Sequence, residues 1–279
     1  MNEWRGIWKL TRPLTSLTGA LTVLLGGYVA ATGNWANILL AGLVTILASG
    51  AANAWNDYLD IEIDRVNQPG RPLPAGLVAP KTAIRFSVIT SAIALALSFF
   101  INLPSFILAV VCCFVLYYYS WKLKSTVLWG NITIASIASL SVIFGGLAAG
   151  NVRPTWLPAL IVFVTILGRE VLKTLADYEG DLVGRCRTVA TVWGRRRARV
   201  LFLILISLVC FVMLLPYLLN TYAPVYAYTI AIGVYPLIFY VILKVNEHTT
   251  GAQLERLSQL MKYDFLVWFL AVVMGAALA

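Results

Sequence analysis

The chain has 279 residues, 60% of them hydrophobic and 12% charged, with a mean hydropathy of +0.84 and a formal net charge of +9. That balance excludes an ordinary soluble domain and describes a polytopic membrane protein. No polar stretch exceeds about 30 residues, so residues 1–279 read as a single integral-membrane domain. Runs of about 17–25 mostly apolar residues predict nine transmembrane helices near 15–33, 36–58, 81–102, 104–121, 127–149, 154–177, 199–218, 222–244 and 261–279. The first run follows Arg5, Lys9 and Arg12, but its length and the spans behind it favour a membrane helix over a cleaved signal peptide. Cys112, Cys113 and Cys210 lie in apolar runs and Cys186 in a polar one. Their spacing supports neither metal ligation nor a disulfide framework, so free thiols are expected. The glycines of "GGLAAG", residues 145–150, read as a close helix contact. His248 is the sole histidine, lies in the loop "NEHTTGAQ" and is assigned no role.

Charge sets the expected orientation. With nine helices and the N-terminus inside, the inner segments are 1–14, 59–80, 122–126, 178–198 and 245–260. Of 21 Lys and Arg, only Arg153 then falls in an outer loop. The net positive charge is thereby explained as topology and attraction to anionic lipid, and no nucleic-acid partner is expected. The run "GRRRAR", residues 194–199, reads as a juxtamembrane anchor. All twelve Asp and Glu also fall on the inner side or at inner helix ends, which the charge rule does not require.

The first concentration of acids is "NDYLDIEIDRVNQPGRPLPAG", residues 56–76. Asp57, Asp60 and Asp64 are spaced three and four apart, so a helix continuing through them projects all three from one face, with Asn56 beside it and Glu62 pointing away. They would stand at a helix C-terminus, where the macrodipole is already negative, and they repel one another. A compensating cation is the simplest account. A second concentration, "GREVLKTLADYEGDLVGRCRT" at 168–188, places Asp177 and Asp181 on one face four residues apart. Read alone, either cluster has a second reading as a solvated helix-end patch neutralised by nearby bases. Two of them, on one side and at matching helix ends, point to shared chemistry and to two related halves, about 1–125 and 126–279.

Oxygen ligands suit a hard cation such as Mg²⁺, which is commonly held by one or two carboxylates together with substrate phosphates. Arg65, Arg71, Lys122, Lys124, Arg169, Lys173 and Arg187 are the bases placed to grip phosphate oxygens. Arg12 before Pro13 faces a phosphate or acceptor, or equally snorkels to the interface. Lys122 opens a loop behind "YYYSW". Tyr117, Tyr118 and Tyr119 serve either a carbocation or, more commonly, the interfacial aromatic belt.

These residues resemble the UbiA superfamily of intramembrane prenyltransferases. The signature N-D-x-x-D-x-x-x-D is met by Asn56, Asp57, Asp60 and Asp64, with "RPLPAG" following, and D-x-x-x-D is met by Asp177 and Asp181. The resemblance covers essentially the whole chain. It implies an all-α bundle of about nine helices around a central cavity with a cytoplasmic cap, in the cell membrane with N-terminus and active site cytoplasmic. It also implies catalytic Asp57, Asp60, Asp64, Asp177 and Asp181, with two Mg²⁺ ions held by Asn56, Asp60, Asp64, Asp177 and Asp181. Asn56, Arg65, Arg71, Lys122, Lys173 and Arg12 would assist substrate binding. The implied reaction moves a polyprenyl group, best a geranylgeranyl group, from a prenyl diphosphate donor to a lipophilic acceptor within membrane lipid. Among branches, "GREVLKTLADYEGD" looks closest to the digeranylgeranylglyceryl phosphate synthase-like members, making geranylgeranylglyceryl phosphate the expected acceptor. Prenylation of an aromatic quinone precursor or of chlorophyllide is the alternative. Thr174 and Ala176 depart from the archaeal ether-lipid pattern, which has Asp and Glu there. That departure bears on the acceptor and not on the diphosphate site.

A divalent-cation transporter is the competing class. It predicts acids near the bilayer midplane or on both faces, whereas here they gather on one. A CDP-alcohol phosphotransferase would need a single compact aspartate motif containing Asp-Gly and Ala-Arg, which the sequence lacks.

Overall fold

A computed structural model describes residues 3–279, and among these every regular element is helical. In chain order they are α1 (Glu3–Leu10), α2 (Pro13–Val29), α3 (Trp35–Leu59), α4 (Ile61–Asn67), α5 (Pro80–Phe99), α6 (Leu103–Trp121), α7 (Trp129–Ala149) and α8 (Trp156–Ala176). There follow α9 (Tyr178–Val183), α10 (Val189–Trp193), α11 (Arg195–Leu218), α12 (Pro224–Gly233), α13 (Tyr235–Lys244) and α14 (Gly251–Ala277). The nine expected spans correspond to α2, α3, α5, α6, α7, α8, α11, the pair α12 and α13, and α14. Seven of these are long and apolar enough to cross a membrane. The other two are α2, apolar but only 17 residues long, and α8, which carries Arg169, Glu170 and Lys173, so nine is an approximate count. The four cysteines are free.

Local chemistry sets the helix starts. Proline opens α2, α5 and α12, where its missing N–H is one that the first turn could not pair anyway. Thr250 and Gln253 form a capping box at the start of α14. The expected single span 222–244 is instead two helices meeting at Val234. Pro236 explains the break, because it offers no N–H to the carbonyl four residues back and its ring crowds that carbonyl.

The continuous helix expected through the first aspartates is also interrupted. Asp60 lies between α3 and α4 at φ −95°, ψ 3°. Asp177 lies between α8 and α9 at φ −86°, ψ 4°. Both occupy the sparsely populated bridge between the helical and extended regions. Hydrogen bonding nevertheless runs through each bend. The Asp60 N–H donates to the Asn56 carbonyl at 3.0 Å and the Asp64 N–H to the Asp60 carbonyl at 2.7 Å. At the second bend, Asp177 donates to Lys173 at 2.9 Å and Asp181 to Asp177 at 2.8 Å. The four-residue offset of the carboxylates thus survives, and the same local construction appears twice.

The chain divides into two compact units. One comprises Met1–Lys124 with Leu140–Thr155, the other Ser125–Ser139 with Trp156–Ala279. In the first, α3 packs against α2, α5 and α6 around Val23, Ala41, Val44, Ala94, Phe144 and Ala148. Of the glycines expected to pack closely, Gly145 and Gly146 do so, whereas Gly150 has open space around it and a left-handed backbone at φ 86°. A Cβ on Gly145 would lie 1.9 Å from the Val23 carbonyl oxygen, and one on Gly26 1.9 Å from that of Val142. In the second unit α8 packs on α11 and α14, and α12 on α14, with Phe202, Tyr226 and Trp268 fully buried. Large apolar side chains such as Ile89, Ile93, Phe114, Ile204 and Phe211 remain exposed on helices whose backbone is internally bonded, as a surface facing hydrocarbon requires.

Candidate active site

In the first unit three cations from three separate loops converge on the motif carboxylates. Arg12, between α1 and α2, donates to Asp57 Oδ1. Arg12 has a left-handed backbone, φ 46° and ψ 64°, strained for a residue with a Cβ, and this unusual turn delivers its guanidinium to Asp57. Arg71 Nη1 lies 2.6 Å from Asp64 Oδ2 and 3.6 Å from Asp57 Oδ1, bridging the two. Its loop is pinned by Leu73 and Val78, which join Leu10, Ala54 and Ala83 in a small core, so "RPLPAG" serves to aim Arg71 back at the motif. Lys124 Nζ reaches Asp60 Oδ1, while Asn56 Nδ2 donates to Asp60 Oδ2 at 2.9 Å. Asp57 and Asp64 are 2% and 4% exposed. The compensating cations demanded by acids at a helix C-terminus are therefore present as side chains.

In the second unit Asp177 and Asp181 form no ion pair among the described residues. Loss of water pushes the Asp181 carboxyl up to about 6, opposed by a hydrogen bond from Thr188 and reinforced by Asp177. The same cause raises Asp177. Lys173 opposes that rise, and Glu255 and Glu170 add to it. Lys173 Nζ is 3.2 Å from Glu170 Oε1, and Arg169 Nε donates to the Ser258 carbonyl of α14 at 3.3 Å.

Several expected participants lie elsewhere. Arg65 pairs with Glu62 at 2.9 Å, both exposed, and does not join the carboxylates. Lys122 sits 5.0 Å over the Trp121 ring, and it is Lys124, two residues on, that reaches the motif. Arg187 is exposed. The Tyr117 hydroxyl bonds Ser87 at 2.5 Å and Ser91 at 2.9 Å while its ring stacks on Trp55, so it ties α6 to α5 and α3. Tyr118 stacks on Phe114 at the exposed surface. His248 lies in an exposed loop.

Sequence reasoning missed Glu170 and Glu255 around Asp177, and Lys262 beside Glu255. The spacing of Glu170 and Asp177, and of Glu255 and Lys262, is seven residues in each case, two helical turns, which aligns each pair along its own stretch of chain but does not bring the two pairs together. It also placed Asp264 at the inner end of a span. Because α14 begins at Gly251, Asp264 is instead well inside the helix, 7% exposed, lining an otherwise apolar cavity with Thr165, Ile206, Met213, Ile238 and Trp268.

Chemically, both clusters suit a hard cation shared with phosphate. Among the described residues no three acidic, His or Cys side chains stand together as a closed metal cage. Carboxylates in ones and twos beside Arg and Lys side chains instead match the way Mg²⁺ binds with a phosphorylated substrate.

The family model described as "UbiA prenyltransferase family" matches residues 20–270. The chain belongs to that family. It is 31% identical over 268 residues to digeranylgeranylglyceryl phosphate synthase of Methanosphaera stadtmanae, covering 96% of this chain and 98% of the relative. The corresponding protein of Methanothermobacter thermautotrophicus is 31% identical over 273 residues, 96% of this chain and 95% of the relative. A solved structure of digeranylgeranylglyceryl phosphate synthase in membranes superposes with a TM-score of 0.83 at 28% identity, covering 100% of both chains. A UbiA homologue from Archaeoglobus fulgidus bound to GPP and Mg²⁺ shares the fold, with a TM-score of 0.71 at 19% identity over 94% of this chain and 99% of that one. The protein is thus an integral-membrane prenyltransferase of the UbiA family.

Proposed function

We propose that the protein transfers a geranylgeranyl group from geranylgeranyl diphosphate to geranylgeranylglyceryl phosphate in a Mg²⁺-dependent reaction. The observation that carries this reading is full-length similarity to digeranylgeranylglyceryl phosphate synthases, together with both aspartate motifs held in parallel local geometries. Asn56, Asp60 and Asp64 in the first unit, and Asp177 and Asp181 in the second, are the residues that would hold Mg²⁺. When bound, Mg²⁺ supplies charge neutralisation of the departing diphosphate.

The chain's own residues do the remaining work. Arg12, Arg71 and Lys124 neutralise the motif in the free protein and can exchange a carboxylate oxygen for a diphosphate oxygen, since their partners remain adjacent. The allylic C–O bond of the donor breaks and diphosphate leaves with the bonding pair. The acceptor hydroxyl oxygen then bonds to the freed carbon and loses its proton. The distribution of Lys and Arg supports a cytoplasmic location for the motifs and an N-terminus inside, in the cell membrane.

The test is turnover of purified protein with labelled geranylgeranyl diphosphate and Mg²⁺ against geranylgeranylglyceryl phosphate, homogentisate, 4-hydroxybenzoate and chlorophyllide. Product from the glycerol phosphate acceptor supports the reading. Product only from an aromatic or chlorophyllide acceptor replaces the acceptor while keeping the reaction class.

A further inference from the structure

Lys262 is the exception among the cations around the second unit's acidic cluster. It lies on α14 where the polar stretch "GAQLERLSQL" gives way to the apolar run beginning at Phe265, and it makes no ion pair or hydrogen bond among the described residues. Its electrostatic neighbours are Arg169, Glu255 and Lys173. Arg169 is already oriented. Its Nε is spent on the Ser258 carbonyl one turn before Lys262, and its Nη1 stands 3.5 Å from Glu170 Oε1. Lys173, one turn along α8 from Arg169, holds Glu170 through both carboxylate oxygens at 3.2 and 3.3 Å. The three cations stand among Glu170, Glu255 and Asp177, and Lys262, at the apolar boundary, is the one cation of the three that makes no ion pair among the described residues.

Helix stability does not call for this arrangement. Lys262 is exposed and has no ion-pair partner among the described residues, so it is open to an anion from outside the chain, and basic side chains at the membrane boundary are a setting that binds phosphorylated lipid headgroups. An arginine oriented by a backbone carbonyl, with lysine ammonium groups nearby, suits a phosphate monoester. An amphiphile whose phosphate rests at Lys262 would lay its chain along the apolar remainder of α14.

We propose that Lys262, together with Arg169 and Lys173, forms the site that takes the phosphate monoester of the lipid acceptor. This rests on the functional reading above. It makes Lys262 a specificity-determining residue that separates phosphorylated from unphosphorylated glycerol lipids. The same chemistry is offered by the donor diphosphate and by bulk anionic phospholipid, so the experiment must separate three sources.

Wild type, Lys262→Gln and Lys262→Arg are compared in nanodiscs of phosphatidylcholine, with and without phosphatidylglycerol. KM is measured for geranylgeranylglyceryl phosphate and for geranylgeranylglycerol, and Kd for geranylgeranyl diphosphate with Mg²⁺. Losing one charge-assisted contact predicts that Lys262→Gln raises the phosphorylated acceptor's KM about ten-fold or more. It also predicts loss of the preference over geranylgeranylglycerol, a donor Kd within about two-fold of wild type, and recovery in Lys262→Arg. An unchanged acceptor KM overturns the proposal. So does a donor Kd weakened as much as the acceptor KM, which assigns the site to the diphosphate, or a loss of thermal stability confined to discs with phosphatidylglycerol, which assigns it to bulk lipid. A wild-type protein that prenylates only acceptors without phosphate overturns the functional reading and this inference together, and the wild-type arm alone reveals it.

Discussion

Replacing Arg71 with Gln removes the cation shared by two buried carboxylates. Arg71 Nη1 is 2.6 Å from Asp64 and 3.6 Å from Asp57, whose side chains are 6% and 3% exposed. Stranding a buried charge costs about 3–5 kcal/mol. Two features reduce that here: the Arg71 side chain is 32% exposed, so water already screens the pair, and Asp57 keeps Arg12. A loss of about 2 kcal/mol is expected. At about 2–4 °C per kcal/mol for a chain of this size, the thermal midpoint should fall by about 4–8 °C. Fluorimetric melting in detergent measures it, and Asp64→Asn in the same background supplies the control. With the stranded charge gone, the double variant should melt above Arg71→Gln, giving a coupling energy of at least about 1 kcal/mol. A midpoint unchanged in Arg71→Gln, or strictly additive losses in the double variant, would refute the claim that Arg71 neutralises Asp64.

Gly145→Leu drives a side chain into the Val23 carbonyl and should cost more than about 3 kcal/mol, seen as loss of folded protein on gel filtration, whereas Gly70→Leu, with open space around its Cβ and no left-handed backbone, should cost far less. Asp181 carries a proton in the free folded protein below about pH 6 that a metal must displace, so Mg²⁺ affinity by calorimetry should fall as pH drops through that value and stay flat above it. Asp181→Asn should bind more weakly and keep only the pH dependence that Asp177 contributes. Asp264 is buried among apolar groups with no ion-pair or hydrogen-bond partner among the described residues, so Asp264→Leu should leave the melting midpoint equal or higher; a fall of several degrees would show that the carboxyl has a structural partner.

Much of the fold was legible because apolar run length is a direct consequence of living in a bilayer. The aspartate faces were legible because i to i+4 spacing is local. The bends at Asp60 and Asp177 were not, since neither "DYLDIE" nor "LADYEG" contains a proline, and nothing local in either forces ψ near zero at the aspartate. The break before Pro236 was readable from the proline itself. Which lysine meets Asp60 depended on the turn Leu123–Ser125, a short 3-10 helix that carries Lys124 and not Lys122 to the motif. Arg12 could not be assigned to Asp57 from sequence because its left-handed backbone is one that arginine seldom adopts. The grouping of Glu170, Glu255 and Lys262 required knowing that α8 packs against α14.

The central claim is that the two aspartate motifs perform metal-dependent prenyl transfer. Its most direct test is the rate of geranylgeranyl transfer to geranylgeranylglyceryl phosphate by wild type, Asp60→Asn and Asp177→Asn, each shown folded by melting and assayed with Mg²⁺ or EDTA. The account predicts EDTA-sensitive turnover in wild type and a loss of at least about 100-fold in each variant, the scale of removing one preorganised electrostatic contact to a developing charge. Turnover in both variants equal to wild type, or unaffected by EDTA, would contradict it.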